Sequence, residues 1–293
     1  MVDFPFTSRW FDLPEGRLHY VDEGQGEPIV MVHGNPTWSY LFRHLLADLR
    51  SDHRVIALDH IGCGRSDKPP DSRYAYVLER RVADLGRLLD HLEPTQRLTL
   101  VLHDWGGMIG LAWACRHPER VGRIILGNTS AFPLPATKAL PLSLRLARVP
   151  GLGALMVRGL NGFCRGAVRY CVTSRRLGPE EAAAYLAPYG SWADRRAVLR
   201  FVQDIPLAPT HPSWPTLAAT AEKLALFADQ PTLILWGRRD FVFDDHFLNE
   251  WRRRWPRAEV HVFEQAGHFI FEDAAAEIDP IVREFLSRTP LAV

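Results

Sequence analysis

Short, almost unbroken apolar runs recur along the chain at Pro28–Val32, Arg54–Leu58, Leu98–Leu102, Val121–Leu126 and Pro231–Trp236, and again at Glu259–Phe263. Runs of about five or six residues, bounded by Gly, Pro or Asp, are too short for buried helices and predict strands covered on both faces. Between them, Trp38–Leu49, Glu79–Leu92, Gly106–Arg116 and Ala275–Leu286 place apolar residues at helical spacing. A β-rich preamble runs from Trp10 to Asp22. Strands alternating with helices predict an α/β fold with a mostly parallel sheet flanked by helices.

The alternation stops at Asn128. From about Phe132 to Ala228 the chain reads as helices and loops punctuated by proline, and it resumes the strand pattern at Pro231. Residues 1–131 and 229–293 are therefore expected to form the core, with 132–228 as an inserted helical cap over the carboxyl edge of the sheet, where ligands bind in open α/β folds. No internal repeat or low-complexity segment interrupts this plan.

Composition changes the picture little. The 293 residues carry a formal net charge of +1, so no bulk charge points to nucleic acid or to a membrane. Cys63, Cys115, Cys164 and Cys171 lack metal-ligand spacing and read as buried thiols. The amino terminus, MVDFPFTSRWF, has no basic start followed by an apolar run, and no charge-free stretch reaches ~18 residues, so a cytoplasmic location is expected.

Candidate chemistry sits at the predicted strand ends. LTLVLHDWGG puts Asp104 at a sharp strand-to-helix turn, where α/β hydrolases commonly carry a serine nucleophile. A carboxylate there suits displacement at a saturated carbon and would leave an alkyl ester on the enzyme. Asp240 in WGRRDFVF and His268 in QAGHFIFED follow later strands, in the nucleophile, acid, base order of such a triad. His268, held in one tautomer by Asp240, could activate water against the ester. A backbone N–H in HGNPTW, with that of Trp105, would form an oxyanion hole. The Asn35 amide and the Trp105 indole are neutral donors suited to an anionic leaving group. Plainer readings stand beside these: Asp104 as a helix cap, Asn35 as a turn residue before Pro36, and Trp105 as packing. HIGCGRSDKPP reads as a structural turn, His33 and His103 as loop supports, and Asp244 and Asp245 as solvated neighbours of Asp240.

HGNPTW, DHIGCGRSDKP, HDWGG and AGHFIFED together resemble the haloalkane dehalogenase group of α/β hydrolases. The Asn35 and Trp105 pair, with the acid at Asp240, is similar to one subfamily, whereas another places a glutamate after the strand ending at Leu126, where this chain has Gly127, Asn128 and Thr129. That subfamily merges with the bacterial cis-β-lactone decarboxylases of long-chain olefin biosynthesis. NTSAFPLP at Asn128–Pro135 and FVQDIPL at Phe201–Leu207 look more like the decarboxylases. The resemblance implies an α/β-hydrolase fold and conversion of long-chain cis-3,4-dialkyl β-lactones to cis-alkenes and carbon dioxide, with haloalkane hydrolysis as the alternative. It also implies an apolar pocket for two alkyl chains, no metal or organic cofactor, and pathway partners in a β-lactone synthetase and a ketone reductase. An epoxide hydrolase shares the aspartate nucleophile and meets the ring oxygen with cap tyrosines, for which Tyr170, Tyr185 and Tyr189 are candidates. Asn35 stands where that family shows an aromatic residue. A ligand sensor that kept a hydrolase pocket is the non-enzymatic reading, and it should bind ligand without needing Asp104.

Overall fold

The protein, described over residues 4–291 in a computed structural model, is built on an eight-stranded sheet in the order β1-β2-β4-β3-β5-β6-β7-β8. The preamble supplies the antiparallel edge, β1 (Arg9–Leu13) and β2 (Gly16–Glu23); β2 also pairs antiparallel with β4 (Arg54–Leu58). The other strands run parallel: β3 (Pro28–Val32), β5 (Leu98–Asp104), β6 (Val121–Thr129), β7 (Thr232–Gly237) and β8 (Glu259–Phe263). Leu100 and Leu102 face one core while Val101 faces the other, the period-two alternation of a strand covered on both sides.

Helices α1 (Arg43–Leu49), α2 (Leu78–Leu92) and α3 (Trp105–Ala114) connect the first half of the core. Between β6 and β7 lie only helices and loops: α4 (Leu142–Ala147), a π-helical turn at Ala154–Gly159, α5 (Gly162–Tyr170), α6 (Pro179–Leu186), α7 (Arg196–Gln203) and α8 (Trp214–Lys223). The chain closes with α9 (Asp245–Arg254), the short α10 (Ile270–Asp273) and α11 (Ala275–Arg288). Leu144, Val157, Cys164, Val198 and Val202 form a separate small core within the insertion. All four cysteines are buried free thiols, and no described helix is long and apolar enough to cross a membrane.

Several boundaries differ from expectation for physical reasons. The segment Trp38–Leu49 is not one helix: Trp38 is extended, a 3-10 turn spans Ser39–Phe42, and α1 follows. The buried Asp59 carboxylate accepts the Ser39 N–H at 2.7 Å and fixes that start. Strand β5 also runs past Leu102 to Asp104, and β6 past Leu126 to Thr129, because register pairing continues to Asp104↔Thr129.

Asp59 explains the HIGCGRSDKPP turn. Besides Ser39 it accepts from the Arg65 N–H at 2.8 Å and contacts His19 Nδ1 at 2.9 Å, and the Asp59, His19 and Ser39 side chains are fully buried. Burial opposes ionisation, but His19 and these donors outweigh it and hold the carboxyl well below the usual carboxylate range. Its stabilisation is complete above the ordinary aspartate value of ~4 and is lost as pH falls toward the depressed native value. Asp59→Ala should lower the unfolding free energy by about 3 kcal/mol or more, measured by urea denaturation at neutral pH, because it strands buried donors.

The connections from β3 and β5 leave in opposite directions, to β4 on one side and β6 on the other. Such a switch point opens a crevice beyond the carboxyl ends of the two strands. Asn35 lies just past β3 and Asp104 ends β5, so topology alone brings them together.

Candidate active site

Asp104 sits at φ 50°, ψ −123°, between β5 and α3. A non-glycine residue with positive φ is strained by roughly 1–3 kcal/mol, and the surroundings over-determine it here. A Cβ on Gly106 would lie 1.9 Å from the Val32 carbonyl oxygen, and one on Gly34 would lie 1.9 Å from Asp104 Oδ1. Both glycines therefore permit the close approach that makes the turn sharp. The Asn35 backbone N–H donates to Asp104 Oδ1 at 2.6 Å, and the Trp105 backbone N–H is directed at the same carboxylate. The backbone N–H groups expected from sequence to form an oxyanion hole here hold one oxygen of the Asp104 carboxylate and leave Oδ2 turned toward His268.

His268 Nε2 lies 3.7 Å from Asp104 Oδ2, and its Nδ1 bonds Asp240 Oδ2 at 2.8 Å. The Val242 N–H donates to the other Asp240 oxygen at 2.7 Å, which aims the carboxylate. Phe243 stacks nearly parallel on the imidazole, and His103 Nε2 meets the His268 carbonyl oxygen at 2.7 Å. Burial pushes the Asp104 carboxyl up, a rise only partly offset by His268 and the two backbone donors. For His268, burial pulls the other way, but Asp240 and Asp104 outweigh it and raise the imidazole above its ordinary value. The two carboxylates thus favour a proton on His268, while burial opposes charge on Asp104.

The other sequence-derived positions fall as follows. Asn128 ties strand ends together, donating from its amide to the carbonyls of Gly237 and Phe243 and accepting the Gly237 N–H at 2.7 Å. Asp244 pairs with Lys138 and caps α9, which leaves Asp240 as the partner of His268. His33 bonds the Gly34 carbonyl and the His60 N–H, supporting the loop that carries Asn35.

Asn35, Asp104, Trp105 and His268 are the polar end of a cavity of ≈ 630 Å³ whose remaining wall is mainly apolar, including Met108, Phe132, Leu144, Phe163, Val202 and Phe243. The Trp105 indole N–H makes no hydrogen bond among the described residues, and the side chain lines the cavity. The Asn35 amide donates at 3.1 Å to the Val198 carbonyl on α7, so one donor of the site touches the insertion directly. Of the three candidate tyrosines, only Tyr170 lines the cavity. Tyr185 donates to Glu272 and Tyr189 to the Thr37 carbonyl, both buried away from it.

Sequence reasoning missed the layer behind Trp105. Phe201 packs against the indole at 5.2 Å, and the buried Arg81 guanidinium lies 3.7 Å above the Phe201 ring centroid. Arg81 meets Asp204 at 3.3 Å, while its Nε and second terminal nitrogen have no partner among the described residues. The available signal was a charge on the apolar face of α2, flanked by Leu78, Val82 and Leu85.

Residues 27–275 match the family model described as alpha/beta hydrolase fold. A cis-3-alkyl-4-alkyloxetan-2-one decarboxylase from Shewanella oneidensis is 48% identical over 97% of this chain and 90% of its own length. The protein of the same name from Xanthomonas campestris is 46% identical over 98% of both. Haloalkane dehalogenase 2 from Mycobacterium bovis stands at 34% over 96% of this chain and 95% of that one. Among solved structures, the haloalkane dehalogenase DatA from Agrobacterium tumefaciens superposes with a TM-score of 0.85 at 28% identity, covering 96% of this chain and 97% of that one. An elbow aspartate backed by two N–H groups, a His–Asp pair beside it and a match across the whole core place this chain in the α/β-hydrolase fold family.

Proposed function

We propose that this protein is an enzyme that decarboxylates long-chain cis-3,4-dialkyl β-lactones to cis-alkenes, with Asp104 as nucleophile, His268 and Asp240 as its charge partners, and Asn35 and Trp105 as leaving-group donors. The observation that carries the reading is a carboxylate with one oxygen pinned by backbone donors and the other facing an apolar cavity beside two neutral side-chain donors. The names of the two relatives at 46% and 48% identity support the substrate class.

Asp104 Oδ2 attacks C4, the saturated ring carbon that bears the ring oxygen, and the C4–O bond breaks with inversion. The ring oxygen leaves as part of a carboxylate still attached through C3, within reach of the Trp105 indole and the Asn35 amide. The new C4–O bond then lies opposite the C3–carboxyl bond. The electrons of that C–C bond become the alkene π bond, carbon dioxide departs, and Asp104 recovers its carboxylate. Inversion followed by opposed elimination turns a cis-lactone into a cis-alkene without rotation about C3–C4, and no water is consumed. Neutral donors fit this better than a direct cation, which would hold the carboxylate in its charged state; Arg81 is kept away from it behind Phe201 and Trp105.

Side-by-side incubation with a cis-3,4-dialkyl β-lactone and with 1-bromohexane tests the reading. Cis-alkene and carbon dioxide from the lactone, at a kcat/KM well above that for bromide release, is the expected result. Trans-alkene would overturn the inversion and elimination sequence, and preferential bromide release would assign the site to haloalkane hydrolysis.

The pathway partners implied by the resemblance follow from the same reading, since a β-lactone must be supplied by an activating, ring-closing enzyme. A cytoplasmic setting is part of the proposal, and fractionation of the source cells checks it.

A further inference from the structure

Residues 121–179 contain no aspartate or glutamate, while 132–179 hold eight of the chain's 35 basic residues and none of its 34 acidic ones. Only Lys138 and Arg175 of those eight form ion pairs among the described residues, with Asp244 and with Glu181 and Glu272. Arg145, Arg165 and Arg169 are exposed on the same stretch. A chain of nearly balanced charge thus concentrates exposed, unpaired cations in one stretch of its insertion.

The same stretch is apolar on its outer face. In α4, Leu144 and Ala147 turn inward while Leu142 is 65% exposed and Leu146 also faces out. Around the π-helical turn Val157 is buried, yet Leu155 and Leu160 are 55% and 62% exposed. Helices that are apolar on the inside and on the outside leave one surface unpartnered. Two aromatic residues sit in this face under guanidinium groups: Arg169 lies 5.2 Å from the Tyr170 ring and Arg158 lies 4.5 Å from the Trp192 ring. Tyr170 is 61% exposed and also lines the cavity, so the face is continuous with the cavity mouth.

We infer that this face of the insertion docks on an anionic lipid surface, with Leu142, Leu155 and Leu160 entering the headgroup boundary and Arg145, Arg165 and Arg169 meeting lipid phosphates. Exposed leucines interspersed with arginines, flanked by amphipathic aromatics, match the composition of segments that lie in a bilayer interface. The absence of carboxylates across the stretch removes the repulsion that anionic headgroups would otherwise meet. Seated there, the cavity mouth opens toward the phase in which long-chain apolar compounds dissolve. The inference rests on surface residues alone and stands apart from the proposed reaction.

Flotation with vesicles of phosphatidylcholine, alone or mixed with phosphatidylglycerol, tests it without any turnover. The expected result is binding that needs phosphatidylglycerol and weakens as salt is raised toward about 1 M. At about fivefold per arginine, R145Q/R165Q/R169Q should lower the partition coefficient by about 100-fold, and L142Q/L155Q/L160Q should abolish it. Turnover of detergent-dispersed substrate should be unchanged in both variants; if either triple variant fails to fold, Arg165→Gln and Leu160→Gln alone should each lower partition severalfold. Binding indifferent to phosphatidylglycerol, no binding, or variants that bind like the parent would overturn the inference. So would a dimer in vesicle-free solution that L142Q/L155Q/L160Q converts to monomer, since the face would then join two copies of the chain.

Discussion

Asp104→Asn should reduce kcat for lactone decarboxylation by about 10⁵ or more, the scale set by removing the nucleophile of a covalent mechanism. The amide keeps the shape that the Asn35 and Trp105 backbone N–H groups require but supplies no attacking oxygen of comparable strength. Substrate affinity should change by only a fewfold, because the cavity wall that would hold the alkyl chains is apolar and remote from this charge. Rapid quenching of the native enzyme followed by intact-mass measurement should show an adduct equal to the whole lactone, since ring opening expels no atom. A haloalkane would instead add only its alkyl group. An Asp104→Asn variant retaining more than about one hundredth of native turnover, with no adduct on the native chain, would remove the covalent step from the mechanism.

The second large effect concerns His268. During elimination the departing Asp104 carboxylate regains its charge 3.7 Å from Nε2, where an imidazolium stabilises it. His268→Gln, which cannot carry that charge, should slow decarboxylation by about 10²–10⁴-fold, as for loss of a positioned acid or base. The direction of the pKa shifts predicts the pH profile. Asp104 must be ionised and its pKa is raised, so kcat/KM climbs with pH from a point above the ordinary aspartate value. His268 must be protonated and its pKa is also raised, so decarboxylation falls only above the ordinary histidine value. Hydrolysis of an alkyl ester has the opposite requirement, a neutral His268, and would gain at the alkaline end. Turnover in oxygen-18 water gives the same division: decarboxylation leaves Asp104 unlabelled, whereas hydrolysis enriches it. A profile that rises through the alkaline range, or label on Asp104 during lactone turnover, would assign His268 to water activation.

Asp104, Asp240 and His268 were legible in the sequence because each closes a strand or follows one, and a parallel sheet delivers all such ends to one edge. Asn35 was legible for the same reason, since it follows β3 at the switch point. The layer of Arg81, Phe201 and Asp204 was not, because it exists only where α2 of the core packs against α7 of the insertion. Phe201 and Asp204 stood in a segment that drew attention by resemblance, yet nothing local showed that they back Trp105. The split of Trp38–Leu49 was hidden likewise, since Asp59 reaches across 20 positions to hold Ser39. Periodicity reports what an element buries, not which distant group pins its end.

The bond from the Asn35 amide to the Val198 carbonyl makes roof and floor of the chamber a single latch. Any shift of the roof relative to the floor would pull on the very amide that is aimed into the chamber, so the seating of the insertion sets the bearing of that donor.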